Sequence, residues 1–319
     1  MDFVRVTPMT VAQETARKRL VYTLILACIP IVAIMLIKIK SLIHFLKTKP
    51  GILTMLIAIG AFVYAHIEPF FLRYTYKEIA VPKQFKPFTV VQLTDIHFQW
   101  PYPYVTKKKL ASIVEKVNEI NPDFIFLTGD FISRYRTYNI SKYNTETIAF
   151  YLGQLRAKRG IYASQGNNDR CAGDMLLKAF KENGVRMLMN EGIVDDDISI
   201  TGILSSKNID MCNKWLNQTK IPDAPLKILL SHQPDTALAT YPFFDLQFSG
   251  HTHGGQCIAP FGIGPILHPK MGHKFIVGVY KIGNMILHVS TGIGISPLPK
   301  PLVRFNNIPE VSVIRVVPE

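Results

Sequence analysis

The sequence predicts an α/β domain built on a parallel sheet and carried behind an apolar N-terminal segment. Three observations predict it. From residue 88 onward, short β-rich apolar runs alternate with helical periodicities, and strand–helix–strand units of this size imply parallel pairing. Those runs end, one after another, on carboxylate, amide or imidazole side chains, which is where open α/β sheets place their sites. Ahead of them stand two uncharged stretches, residues 20–37 and 51–67, each close to the length that spans a bilayer.

Residues 1–68 therefore read as a membrane anchor. The first stretch follows Arg17, Lys18 and Arg19, and Glu68 closes the second. The first is longer than a signal-peptide core and no small-residue cleavage site follows it; Pro30 is tolerated in a spanning helix. Two arrangements compete. Either both stretches span as a hairpin, or one spans and the other lies in the interface or packs on the body. Lys38, Lys40, Lys47 and Lys49 pull toward the cytoplasm as strongly as the N-terminal cluster does, so loop charge selects neither. The net charge is +13, and residues 1–68 hold eight Lys/Arg against three acids. The basicity is thus shared along the chain. It fits phospholipid headgroups or nucleotides as partners, and it forms no tract of the kind that binds nucleic acid. Cys28, Cys171, Cys212 and Cys257 make no regular framework, which favours a reducing compartment.

Residues 69–87 read as a linker or an edge strand. The run 88–94 leads to Asp95 and His97. Residues 98–104, aromatic and Pro-rich, form a loop that either packs on the body or dips into the membrane interface. Leu110, Ile113, Val114, Val117 and Ile120 share one face of a helix over 107–120. A buried strand, 123–128, ends in Gly129 and Asp130. Residues 131–143 interleave Arg134, Arg136 and Lys142 with Tyr135, Tyr138 and Tyr143. Such a stretch clamps phosphates or stacks a base, or it is a solvated loop. A helix over 145–158 leads to a strand over 160–165, followed by Gly166, Asn167, Asn168, Asp169 and Arg170. After a helix near 172–182 and strands near 185–189 and 198–203, the run 227–231 ends at His232. The run 245–249 ends at Gly250-His251-Thr252-His253, and further strands are expected at 275–279, 286–290 and 311–317.

In an extended strand, residues i and i+2 point to one side. A strand end turning on glycine therefore presents His251 and His253 to one point. Such a pair alone is as often a core pair as a metal site. The set is more specific: Asp95, His97, Asp130, Asn167, His232, His251 and His253 are too many ligands for one ion and suit two. Carboxylate, amide and imidazole without thiolate favour Mn²⁺, Fe²⁺ or Zn²⁺ over Ca²⁺. A bridging carboxylate holds two such ions about 3.5–4 Å apart, the spacing used for displacement at phosphorus.

Asp95-x-His97, Gly129-Asp130, Gly166-Asn167-x-Asp169, His232 and Gly250-His251-x-His253 resemble the five blocks of the calcineurin-like metallophosphoesterases, over residues 88–319. The resemblance implies an α/β fold, a four-layer α/β/β/α sandwich over 88–319; the uncharged stretches place transmembrane helices at 20–37 and 51–67 ahead of it, with 69–87 as the linker. It implies one metal on Asp95, His97, Asp130 and His253. The other lies on Asp130, Asn167, His232 and His251, with Asp130 the bridge. Two divalent ions are expected, Mn²⁺ first, with Fe²⁺ or Zn²⁺ as alternatives. One position departs. Where the family usually has His, this chain has Asn168, which donates a hydrogen bond but no proton. General acid help is worth roughly 10²–10⁴-fold, so the departure favours a leaving group that needs none, as in pyrophosphate cleavage. Arg170 would supply the missing positive charge. Asn168 and Arg170 are the catalytic candidates; Arg134, Tyr135 and Arg136 are the substrate-contact candidates.

The apolar N-terminus, Gly254-Gly255-Gln256 and residues 291–297 are similar to the membrane-bound bacterial subgroup. Some of its members split UDP-2,3-diacylglucosamine into UMP and 2,3-diacylglucosamine 1-phosphate in lipid A biosynthesis. The expectation is a hydrolase of that kind at the bacterial inner membrane, facing the cytoplasm. Its partners would be the lipid bilayer and a nucleotide-linked lipid, with no nucleic acid. A membrane phosphodiesterase acting on phospholipid or nucleotide diesters, and a non-catalytic metal- or lipid-binding module, are the alternatives.

Overall fold

Apolar runs of four to six residues, bounded by Asp, Pro and Gly, become strands buried on both faces, as parallel sheets require. In the computed structural model, residues 4–5, 9–10, 18, 47–99, 104–133, 138–206, 208–259, 264–265, 274–296 and 303–319 are described. The first apolar stretch, 20–37, lies outside them, as do Arg134, Tyr135 and Arg136.

Two short strands, β1 (Val4–Arg5) and β2 (Met9–Thr10), precede helix α1 (Lys49–Ile67). Next come β3 (Arg73–Val81), β4 (Phe88–Leu93), α2 (Lys107–Ile120), β5 (Phe124–Leu127), α3 (Tyr138–Leu152), β6 (Gly160–Ala163), α4 (Asp174–Glu182) and β7 (Arg186–Met187). The hairpin β8 (Glu191–Asp195) and β9 (Ile198–Gly202) begins a second series: α5 (Ile209–Gln218), β10 (Leu226–Leu230), α6 (Ala237–Thr240) and β11 (Leu246–Ser249). The pair β12 (Ile258–Ala259) and β13 (Gly264–Pro265) is followed by the hairpin β14 (Gly278–Ile282) and β15 (Met285–Val289), and by β16 (Glu310–Pro318).

The strands form two seven-stranded sheets, ordered β1-β3-β16-β4-β5-β6-β7 and β2-β14-β15-β11-β10-β9-β8. Pairing is parallel across β4, β5, β6 and β7 and across β15, β11, β10 and β9. Successive side chains alternate faces. Val91, Leu93, Ile125 and Leu127 face Leu110, Ile113 and Val117 of α2, Ile148 and Leu152 of α3, and Leu176 and Phe180 of α4. Their neighbours Val90, Phe124 and Phe126 meet Ile228, Leu230, Leu246 and Phe248 between the sheets. Leu229, Leu287 and Val289 turn outward onto Cys212 and Leu216 of α5 and Ala237 of α6. Helices, sheet, sheet and helices stack in that order.

Several expectations shift. Residues 69–87 are not a linker: β3 pairs with β16 over nine positions, from Arg73 with Glu310 to Val81 with Pro318. The boundary drawn at residue 88 therefore falls inside the sheet. The helix expected at 145–158 runs over Tyr138–Leu152, because Ser141, Asn144 and Thr145 join Ile148 and Leu152 in burial and polar residues on an inner face hide its period. The strand expected at 275–279 begins at Gly278, since the Tyr280 hydroxyl accepts from the Ile276 and Val277 N–H groups at 3.1 and 3.2 Å and folds that segment back. Helix α5 was not read from the sequence; its Asn208 cap accepts from Asp210 N at 2.7 Å.

Helix α1 starts at Thr48, whose hydroxyl accepts from Gly51 N at 3.2 Å. It continues into a short turn to Phe70, a stretch of 22 residues whose most apolar 18-residue window has mean hydropathy 1.8. By length and composition they suffice to cross a membrane. Within α1 only Gly51 and Ala65 are buried, whereas Leu56, Ile57 and Phe62 are 57–64% exposed. A contiguous apolar surface of this kind marks a protein or membrane contact.

Candidate metal centre

Every ligand candidate stands just beyond the carboxyl end of a parallel strand: Asp95 and His97 after β4, Asp130 after β5, Asn167 after β6, His232 after β10, His251 and His253 after β11. The chain turns there sharply. Asp95, His97, Asp130, His251 and His253 all take left-handed φ, between 48° and 72°. That region costs a non-glycine residue roughly 1–2 kcal/mol, and such strain collects at functional sites. Glycine makes the crowding possible. A Cβ on Gly250 would strike Asp95 Oδ2 and Thr94 Oγ1, and one on Gly166 would strike Asp130.

Two triads result. Asp95, His97 and His253 form one, and Asp130, His232 and His251 the other; within each, the ligand atoms lie within 4.8 Å of one another. In the first, His97 Nε2 is 3.1 Å from His253 Nε2, and His253 Nε2 is 3.3 Å from Asp95 Oδ1. In the second, His251 Nδ1 is 3.1 Å from His232 Nε2, which is 3.3 Å from Asp130 Oδ2. The same Asp130 oxygen is 3.4 Å from His97 Nε2, so this carboxylate faces both triads. His251 and His253 do not meet at one point, as extended geometry would have them do. Their left-handed backbones send one ring to each triad.

Neighbours fix the orientations. Asp95 Oδ2 accepts from His251 N at 2.8 Å and Thr94 Oγ1 at 3.0 Å, while Asp95 Oδ1 is buried without a hydrogen-bond partner. Asn167 Oδ1 is likewise buried and unpartnered. His232 Nδ1 donates to Thr128 O at 2.8 Å, which turns the Nε2 lone pair inward. Ser133 Oγ lies 3.3 Å from His97 Nδ1. Partners of this kind hold imidazoles in the ligating tautomer. Orphaned buried oxygens and converging imidazole lone pairs are what a cation satisfies. The donor set fits a dinuclear centre of borderline divalent metals.

Charge and burial pull the members apart. Burial pushes Asp95 up to about 6 and His97 down to about 4. At His232 burial opposes the charge, but the Asp130 carboxylate outweighs it and raises the imidazole to about 9. Asp130 is itself held well below the usual carboxylate range, burial being overcome by His232 and then His97.

Asn168 donates from its amide to Asp130 Oδ2 at 2.6 Å and from its backbone N–H to Asp130 Oδ1 at 2.8 Å. Arg170 is exposed, one residue past buried Asp169. Sequence reasoning missed two supports. Asp169 accepts from Gly166 N, Asp130 N and Phe131 N, each at 2.8 Å, and so locks two strand-end turns together. Arg304, wholly buried, reaches within 3.2 Å of His253 Nδ1 and donates to Thr291 O and Gly294 O at 2.8 and 2.6 Å. A charge-bearing motif marked the first; for the second, only an arginine in an otherwise apolar stretch hinted at burial.

Comparison with known proteins agrees with this geometry. The family model for calcineurin-like phosphoesterases matches residues 88–255. A metallophosphoesterase of Bacillus subtilis, YkuE, is 33% identical over 284 residues, covering 85% of this chain and 95% of that protein. A Danio rerio transmembrane protein with a metallophosphoesterase domain is 27% identical over 255 residues; the match covers 72% of this chain and 54% of that one, about half its length. The UDP-2,3-diacylglucosamine pyrophosphatase LpxG of Chlamydia muridarum is 24% identical over 320 residues, covering 80% of this chain and 92% of that protein.

Proposed function

Because the chain belongs to the calcineurin-like phosphoesterase family, we propose that this metal-dependent hydrolase cleaves the pyrophosphate of UDP-2,3-diacylglucosamine, releasing UMP and 2,3-diacylglucosamine 1-phosphate beside a membrane. One observation carries the reading: the exposed apolar helix α1 ends against the loop that bears the ligands, with buried Ala65 packed on Cys257 and Val303. A substrate with two acyl chains is delivered from lipid, and a site joined to such a helix lies where that lipid is. The similarity to LpxG supports the choice of head group.

Mn²⁺ is the expected metal. Asp95, His97 and His253 would hold one cation and Asp130, His232 and His251 the other; when bound, such ions would supply Lewis acidity toward phosphate oxygens and a lowered pKa for a water. The protein's own groups orient and select. Asp95 is held by His251 N and Thr94, so its free oxygen faces the centre. Asp130, facing both triads, is held by Asn168. An amide at residue 168 gives no proton to a departing alkoxide, whereas a phosphate monoester departs without one. Arg170, exposed, is the proposed contact for the anionic substrate, and Arg134, Tyr135 and Arg136 are the proposed contacts for its nucleotide. The domain is proposed to face the cytoplasm from the inner membrane.

The test is product analysis with the protein in detergent, given UDP-2,3-diacylglucosamine with and without Mn²⁺. Mn²⁺-dependent release of UMP is expected. Turnover of simple phosphodiesters with none of the UDP lipid would favour the phosphodiesterase reading. Absence of bound metal and of any turnover would favour a binding module.

A further inference from the structure

The membrane-side helix reaches one of the two triads through a short chain of buried polar contacts. Its last turn is pinned twice. Arg304 N donates to Ala65 O at 3.0 Å, and Tyr64 meets the Phe305 ring edge-on, with centroids 5.9 Å apart. One residue beyond α1 lies Glu68, wholly buried. Its Oε1 accepts from Asn307 N at 2.5 Å, and its Oε2 has no hydrogen-bond partner. Asn307 in turn donates from its amide to His253 O at 2.5 Å. From the helix end to the backbone of a ligand is therefore two hydrogen bonds. A carboxylate removed from water is costly unless its contacts are used. Like its partners in the triad, His253 holds a left-handed φ, here 48°, and its ring is in addition bracketed by His97 and Arg304, so support of its backbone bears on a crowded ligand.

We propose that Glu68 and Asn307 are positioning residues that tie the end of α1 to His253, so that the seating of the helix sets the cation affinity of the Asp95–His97–His253 triad. The second triad, Asp130, His232 and His251, is held from Thr128 and Asn168 and is independent of the tie. The inference rests on reading the triads as a metal centre.

The experiment is a Mn²⁺ titration of the full chain in detergent, read by electron paramagnetic resonance of free Mn²⁺, with thermal melting alongside. Asn307→Ala leaves the backbone N–H on Glu68 and removes only the bond to His253. It is expected to weaken one of two Mn²⁺ sites about 10–100-fold, the usual effect of losing an outer partner, and to leave the other within about twofold. Glu68→Ala should do the same, and Glu68→Gln, which keeps the accepting oxygen, should restore the site. Ala65→Phe, which wedges the helix end away from Cys257 and Val303 without touching the tie, should lower the same site. Two wild-type affinities in Asn307→Ala and Ala65→Phe would overturn the proposal and leave the metal centre standing. Equal loss of both sites in step with melting would overturn it as well, as ordinary destabilisation. A wild-type protein that binds no Mn²⁺ would overturn the metal centre itself.

Discussion

Gly250→Ala isolates the role of close backbone approach at the metal centre. Gly250 has no left-handed φ, so alanine meets no backbone strain and only the added methyl acts. That methyl collides with Asp95 Oδ2 and Thr94 Oγ1. If Asp95 gives way, it loses at least one of the bonds from His251 N (2.8 Å) and Thr94 Oγ1 (3.0 Å). A hydrogen bond to a charged group is worth about 1.5–3 kcal/mol, and overpacking adds about 1 kcal/mol. The total, about 2.5–4 kcal/mol, corresponds to roughly a 10²–10³-fold weaker cation affinity. If the backbone gives way instead, the same energy appears as a lower melting temperature. Isothermal titration with Mn²⁺ and a thermal melt on the same sample separate the two outcomes. A variant with wild-type affinity and wild-type melting would refute the reasoning, because nothing near Asp95 would then be tightly fitted.

Three further outcomes are expected. Asp130→Asn removes the carboxylate that faces both triads, so metal analysis should find fewer than two ions per chain, and turnover should fall by about 10³-fold, the loss of several kcal/mol of charge stabilisation. Ile57→Arg places a charge on the exposed face of α1 and should cost about 2.5–3.5 kcal/mol of bilayer insertion. Liposome flotation would measure it, with bound metal unchanged. His288, buried beside Lys77, is held well below the ordinary imidazole range, first by burial and then by that lysine. Below about pH 6.5 the unfolded chain binds a proton there that the folded one does not, so stability rises with pH up to that point and falls beneath it by up to about 1.4 kcal/mol per unit. Melting between pH 5 and 8 should show this slope, and His288→Gln should flatten it.

The sequence made the strand ends legible because each of these parallel strands is an apolar run that stops on polar residues: Leu93 before Asp95, Leu127 before Asp130, Leu230 before His232. Periodicity located α2, whose inner face is purely apolar, and misplaced α3, where Asn144 and Thr145 share the inner face. Strand geometry alone would send His251 and His253 to one point; their partition between the triads was legible only through the family resemblance, since it depends on two left-handed φ values that no spacing announces. Thr128 and Ser133 steer imidazoles through a carbonyl and a hydroxyl, atoms that many residues carry. Glu68, Arg304 and Asn307 act across more than 230 positions of chain, between residues 68 and 307, and no local pattern joins them.

The position of β16 bears on how this protein is made. Residues Glu310–Pro318 lie in the middle of the first sheet, hydrogen-bonded to β3 on one side and β4 on the other. A ribosome that has already released both neighbours must leave two bare strand edges waiting while more than two hundred residues emerge. Unpaired edges invite wrong partners, and closures between distant parts of a chain are slow. Newly made chains stalled anywhere ahead of Glu310 should therefore be the aggregation-prone species, and Pro318→Asp or Val313→Lys should lower yield far more than equivalent changes in β8 at the rim.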